Sequence, residues 1–144
     1  MKIKYLILIL ILSSCQMKKQ ESVNSTPFAV VVKYISAENF VDTLEARKYI
    51  NISKVYSKYI DKENPTANKV WENQILFNQS LNNDKKFTNH FKFYNYDFEE
   101  VIKNKDAKVI FFSKKESAKI KSIEYSLELT DKNQWSITDI EYKN

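Results

Sequence analysis

Ser122-Ile123-Glu124-Tyr125-Ser126-Leu127-Glu128-Leu129-Thr130, then Asp131-Lys132-Asn133, then Gln134-Trp135-Ser136-Ile137-Thr138-Asp139-Ile140-Glu141-Tyr142, is the stretch that decides the fold class. Ile123, Tyr125, Leu127 and Leu129 alternate with polar residues, the period of a strand with one buried face. Asp131-Lys132-Asn133 reads as a hairpin connection in which Asn133 takes the left-handed conformation. Trp135 and Ile137 share a face. Ile140 and Tyr142 return to it only if the strand carries a bulge between them. Upstream, Val109-Ile110-Phe111-Phe112 is a short apolar run, and Phe91-Lys92-Phe93-Tyr94-Asn95-Tyr96 is also strand-like.

Before residue 84 the period is helical. Thr26-Pro27 reads as a cap followed by Pro at the first helical position. Phe28, Val31, Val32 and Ile35 follow as one face, although their β-branching keeps a strand over 28–35 in play. A second helix is expected from Asp42, its cap, to Ile50, with Leu44 and Ala46 near the core. Ile52, Val55, Tyr56, Tyr59 and Ile60 form a third amphipathic segment. Asn64-Pro65 opens a fourth helix carrying Ala67, Val70, Trp71, Ile75 and Leu76 to about Leu81, with a turn at Asn82-Asn83-Asp84. Helices first and strands afterwards give an α+β domain, its N-terminal helices packed on a curved antiparallel sheet.

The first fourteen residues do not belong to that domain. Met1-Lys2-Ile3-Lys4 is a short positive segment, and Leu6 to Leu12 is an apolar run far shorter than the ~20 residues that span a bilayer. Leu12-Ser13-Ser14-Cys15 resembles the lipobox of bacterial lipoproteins: an aliphatic residue, two small residues, then Cys. The resemblance implies cleavage before Cys15 and lipid on its thiol. Residues 1–14 are then a signal peptide, and 15–26 a lipidated Cys with a polar tether. The folded domain covers 27–144. Two or more acyl chains at ~0.8 kcal/mol per buried methylene give stable attachment, and Lys18 and Lys19 add attraction to anionic headgroups. Gln16 is not the Asp that resembles an inner-membrane retention signal, so the outer membrane of the cell envelope is expected.

Composition excludes several functions. The chain has no Gly, which removes a P-loop and a dinucleotide fingerprint. One Cys and one His, His90, cannot build a zinc site, and no Asp/Asn-rich loop has calcium-site spacing, so neither metal nor cofactor is expected. Removing Lys2 and Lys4 with residues 1–14 takes 23 basic residues to 21 against 18 acidic ones, a net +3. Those charges are interleaved, which argues against a nucleic-acid partner.

The order of elements, ending in Trp135-Ser136-Ile137-Thr138-Asp139-Ile140, together with Val31-Val32-Lys33-Tyr34-Ile35-Ser36-Ala37-Glu38-Asn39, resembles the NTF2-like (cystatin-like α+β cone) superfamily over residues 27–144. That superfamily holds isomerases, dehydratases and hydrolases beside non-catalytic binding domains, so fold does not give function. The resemblance implies that Asp, Tyr or His groups inside the cone would do any chemistry, which singles out His90, Asp97 and Asp139. Aromatics make 14% of the chain, and Phe91, Phe93, Tyr94 and Tyr96 cannot all face one side of a strand. Tyr34, Phe93, Tyr94, Tyr96 and Tyr125 are therefore the candidates for a ligand pocket or interface. Two classes follow: a non-catalytic module binding a small apolar ligand or a partner, including a second copy through the sheet, or an NTF2-like enzyme acting on a small hydrophobic substrate. An immunity or inhibitor lipoprotein is a third. Two or more polar titratable groups converging on an apolar pocket would favour the enzyme; a solid aromatic filling would favour docking.

Overall fold

Thr26 caps the first helix, its side-chain oxygen accepting from the Ala29 N–H at 3.2 Å, and Pro27 follows at the first helical position. The computed structural model describes residues 25–83, 96–116 and 118–144. Helix α1 is Pro27–Asn39. Its buried stripe is Pro27, Val30, Val31, Tyr34, Ile35, Ala37 and Glu38, turned by part of a turn from the expected face, so that Phe28 and Val32 are only half-buried. The helix ends in two nested bonds: the Val41 N–H reaches the Glu38 carbonyl and the Asp42 N–H the Ala37 carbonyl. That closure needs a left-handed residue, and Val41 supplies it at φ 58°. In an L-residue this conformation costs roughly 1–2 kcal/mol. The other two positive-φ residues, Asn104 and Asn133, are of the type that tolerates it, and Asn133 closes the expected hairpin.

Asp42 caps α2, Thr43–Ala46. This helix is much shorter than the expected 42–50. Ile50 has left it to make a parallel bridge with Ile137, flanked by Asn51 N–H to Ile137 O and Ile137 N–H to Tyr49 O, both 2.8 Å. Sheet pairing has overridden local helix preference here. Ala46 is buried as expected, but Leu44 is 79% exposed. Helix α3 is Ile52–Tyr56, capped by Asn51, and runs into a 3₁₀ turn at Ser57–Tyr59. Val55 and Tyr56 are core; Tyr59 and Ile60 are exposed, because the tighter turn takes them off the helical face. Helix α4 is Ala67–Asn83. Thr66, and not Asn64-Pro65, starts it, with its hydroxyl oxygen accepting from Lys69 N–H. The helix continues through the expected turn at Asn82-Asn83. Trp71 and Ile75 point into the core, whereas Leu76 is exposed.

The sheet is an antiparallel meander, β1 (Tyr96–Lys103), β2 (Asp106–Ser113), β3 (Ser122–Leu129) and β4 (Trp135–Lys143), in that order. It is not closed. The register shifts between Ser126 and Leu127, which pair with Asp139 and Ile137, leaving Thr138 as the bulge residue. That bulge puts Ile137 and Ile140 on one face, as the sequence required. The helices cover this face, so Val109, Phe111, Ile123, Tyr125, Leu127 and Ile137 meet Val31, Tyr34, Ile35, Val55 and Trp71 in one core. The other face is mostly polar, although Val101, Ile110 and Phe112 lie on it. There Glu124 is buried between Lys108 and Lys143, at 2.6 Å from the latter, and the two ammonium groups hold its carboxyl below the usual range.

Candidate functional site

Tyrosines occupy the end of the core nearest α3. Tyr34 and Tyr125 are fully buried, at 0% and 1% exposure, and so present no surface to a ligand or partner. Both were candidates because Tyr suits an interface; both instead fill the space between α1 and the sheet, where a bulky ring is needed. Tyr34 donates its hydroxyl to Glu38 at 2.5 Å, and the Tyr56 hydroxyl lies 3.4 Å from that of Tyr34. Glu38 is itself buried, one turn along α1 from Tyr34. A buried carboxylate requires such donors, since an unpaired one would be costly. Burial, then the Glu38 charge, raises the Tyr34 and Tyr56 hydroxyls above their ordinary value. Burial likewise raises Tyr125. All three phenols are therefore neutral donors at ordinary pH.

Tyr56 connects this buried chain to open space. Its residue lines a pocket of about 240 Å³ with Val55, Tyr59, Val70, Gln74, Ile140 and Tyr142. α3 and the 3₁₀ turn form one wall, α4 a second and β4 the third. The packing of α3 on α4 and of α3 on β4 fixes the walls. The bulge at Thr138 aims Ile140 and Tyr142 into it. Tyr142 and Tyr59 are about half exposed at the mouth. The lining is apolar bodies with three phenol groups and one amide. Among the described residues no carboxylate, amine or imidazole lines it. It has the composition of a site for a small, mostly apolar group with one hydrogen-bonding end.

A second, wider hollow of about 340 Å³ lies beside Phe40, lined also by Lys33, Ser36, Asp42, Glu45 and Tyr49. Glu45 accepts from both Lys48 and Tyr49. Partial burial and that bond raise the Tyr49 hydroxyl to about 12. Tyr49 and Glu45 are paired with each other and Lys33 donates to Ser25, which leaves less for a ligand to satisfy.

The remaining sequence candidates fall elsewhere. Tyr96 is half-buried, opens β1 opposite Ser113 and packs against the core. Asp97 is exposed and pairs with Lys114 at 2.8 Å. Asp139 pairs with Lys58 at 2.5 Å. Neither is the inward, desolvated carboxylate that an isomerase-like arrangement needs. Cys15, His90, Phe93 and Tyr94 lie outside the described residues. Sequence reasoning missed Glu38, and it placed Tyr56, Tyr59 and Tyr142 in elements without seeing that they converge. The signal for Glu38 was its spacing: it follows Pro27, Val31 and Tyr34 on one helical stripe. No spacing brings residues 56, 59 and 142 together, because the contact is made only by the fold.

Among the described residues, no group of His, Cys, Asp and Glu could hold a metal ion, and no helix is long and apolar enough to cross a membrane. No protein-family model matches this chain, and neither a curated protein nor a solved structure matches it.

Proposed function

We propose that this chain is a lipid-anchored, non-catalytic binding module of the bacterial cell envelope, tethered through Cys15, whose pocket between α3, α4 and β4 takes a small apolar ligand or one side chain of a partner. The observation that carries the reading is the lining of that pocket: three tyrosines and aliphatic groups, with the nearest buried carboxylate engaged by Tyr34. Its phenols can donate a hydrogen bond, but among the described residues no carboxylate, amine or imidazole lines it to accept a proton near neutral pH. This disfavours the enzyme reading. The NTF2-like assignment belongs to the same proposal. Helices preceding an antiparallel meander, with a bulge bending the last strand, support it; the sheet would be a reduced, open version of the cone.

The pocket is smaller than the ~300–1,000 Å³ of drug-sized sites, so a bicyclic phenol is the appropriate probe. Equilibrium dialysis with 1-naphthol should give a Kd on the order of 0.1–1 mM, from the modest binding energy per atom that such ligands achieve. Gln74 is exposed at the rim, and Gln74→Trp should fill the mouth and remove binding while leaving unfolding unchanged. Equal binding by wild type and Gln74→Trp would place the probe elsewhere and end the proposal.

A further inference from the structure

The two edges of the sheet are treated differently. At β4 the segment Tyr49–Asn51 pairs with Ile137 through two 2.8 Å bonds. The outer edge of β1 has no partner strand among the described residues. β1 is eight residues long and pairs with β2 in unbroken register from Tyr96 to Lys103, with no bulge and no Pro. A long, regular edge with no partner among the described residues is a template for another strand. On the helix-side face of β1, Phe98 and Ile102 are 55% and 52% exposed, although the same face of β2 and β3 is core.

We infer that β1 is a homodimer interface, in which the β1 edges of two copies pair antiparallel about a two-fold axis through Glu100 and join the two sheets into one. The sequence of β1 is self-complementary about that residue. The axis sets Phe98 opposite Ile102 of the second copy, twice by symmetry, which covers the exposed apolar pairs on the helix side. On the other face it sets Asp97 opposite Lys103. Lys103 has no ion-pair partner among the described residues of its own chain. Each Glu100 meets its twin at the axis, but its carboxylate already accepts from the Phe28 N–H at 2.7 Å, at the positive end of α1. Phe28 also stacks on Phe98, with ring centroids 4.1 Å apart, and fixes that side chain for the interface. An axis one residue away, through Glu99, would oppose Asp97 to Val101 and Phe98 to Glu100, and loses both the Phe98–Ile102 and the Asp97–Lys103 pairs. The inference rests on the edge and its residues alone, and is independent of the pocket reading.

The test is sedimentation of the full-length chain in detergent at micromolar concentrations, with an oxidative cross-link. Wild type should be a dimer. Lys103→Asp should weaken it roughly tenfold, since two symmetric exposed ion pairs become repulsive, and Asp97→Lys/Lys103→Asp should restore it. Glu99→Cys/Val101→Cys sets the two thiols opposite each other across the axis. It should form a covalent dimer on oxidation beyond any formed by wild type, and Glu99→Cys alone should not. These side chains lie on the edge strand away from the core, so the variants should fold. A monomeric wild type, or a dimer in which the paired cysteines do not cross-link, would overturn the inference.

Discussion

Trp71 offers the sharpest stability test. It is the largest fully buried side chain, at 0% exposure, on the inner face of α4. Its indole Nε1 is buried and has no hydrogen-bond partner among the described residues. The Arg47 guanidinium lies over the ring, 4.6 Å from its centroid, and is held there by Asn68 at 3.1 Å and Glu72 at 3.5 Å. Truncation to Ala should cost ~3–5 kcal/mol for lost transfer and cavity, with loss of the half-exposed cation–π contact, worth up to about 1 kcal/mol, offset by deletion of the unpaired indole N–H. Against the ~5–15 kcal/mol that a domain has, this is a severe loss. Trp71→Phe is different. It gives up roughly 1–2 kcal/mol of packing, but it also deletes a donor whose unmet desolvation costs roughly 1–3 kcal/mol. The two changes nearly cancel, so the net effect should lie within about 1 kcal/mol of zero. Urea unfolding followed by far-ultraviolet circular dichroism separates the cases, because it does not depend on the indole as probe. With a slope of roughly 2 kcal/mol per molar, Trp71→Ala should lower the midpoint by about 2 M and Trp71→Phe by less than about 0.5 M. If Trp71→Phe proved nearly as costly as Trp71→Ala, the indole N–H would have to be satisfied in solution, and the reasoning would fail.

Two further outcomes follow from the same packing. The raised hydroxyls of Tyr34, Tyr56 and Tyr125 stay neutral in the folded state while their unfolded counterparts ionise near pH 10. Their stabilisation is therefore complete below pH 10 and is lost as pH rises beyond it. Tyrosinate absorbance should show these three titrating only together with alkaline unfolding, and Tyr34→Phe should remove one of them; a reversible titration of these three near pH 10 in folded protein would contradict it. Trp135 is half-buried where β4 begins opposite Leu129 and packs on the edge of the core, so Trp135→Ala should cost about half of what Trp71→Ala does, ~2 kcal/mol by denaturant midpoint. A loss as large as at Trp71 would show that the end of the sheet is sealed more tightly than its exposure indicates.

How far the fold could be read in advance depended on whether local pattern and tertiary contact agreed. The β3–β4 hairpin was legible down to the left-handed Asn133 and the bulge, because alternation and turn chemistry both act locally. The Thr26 cap and the Asp42 cap were legible for the same reason. Leu44 was not: its helix was truncated when Ile50 paired with Ile137, a contact 87 residues away in the chain. Most of β1 went unrecognised, since Asp97-Phe98-Glu99-Glu100 lacks an apolar face and is held by its register with β2. The site suffered most. Tyr34 and Tyr125 were selected for their residue type and turned out to be core. Tyr56, Tyr59 and Tyr142 form the pocket because a helix, a 3₁₀ turn and a bulged strand meet there, which no single segment encodes.

The functional reading as a whole hangs on residue 15, since a binding module held at a membrane needs its anchor. Metabolic labelling of cells with a radioactive fatty acid, comparing the full-length wild-type chain with Cys15→Ala, tests it most directly. The account predicts label on wild type, which sediments with membranes, and an unlabelled, uncleaved Cys15→Ala chain of higher apparent mass. A wild-type chain that takes up no label, or a Cys15→Ala chain labelled and cleaved as wild type is, would contradict it.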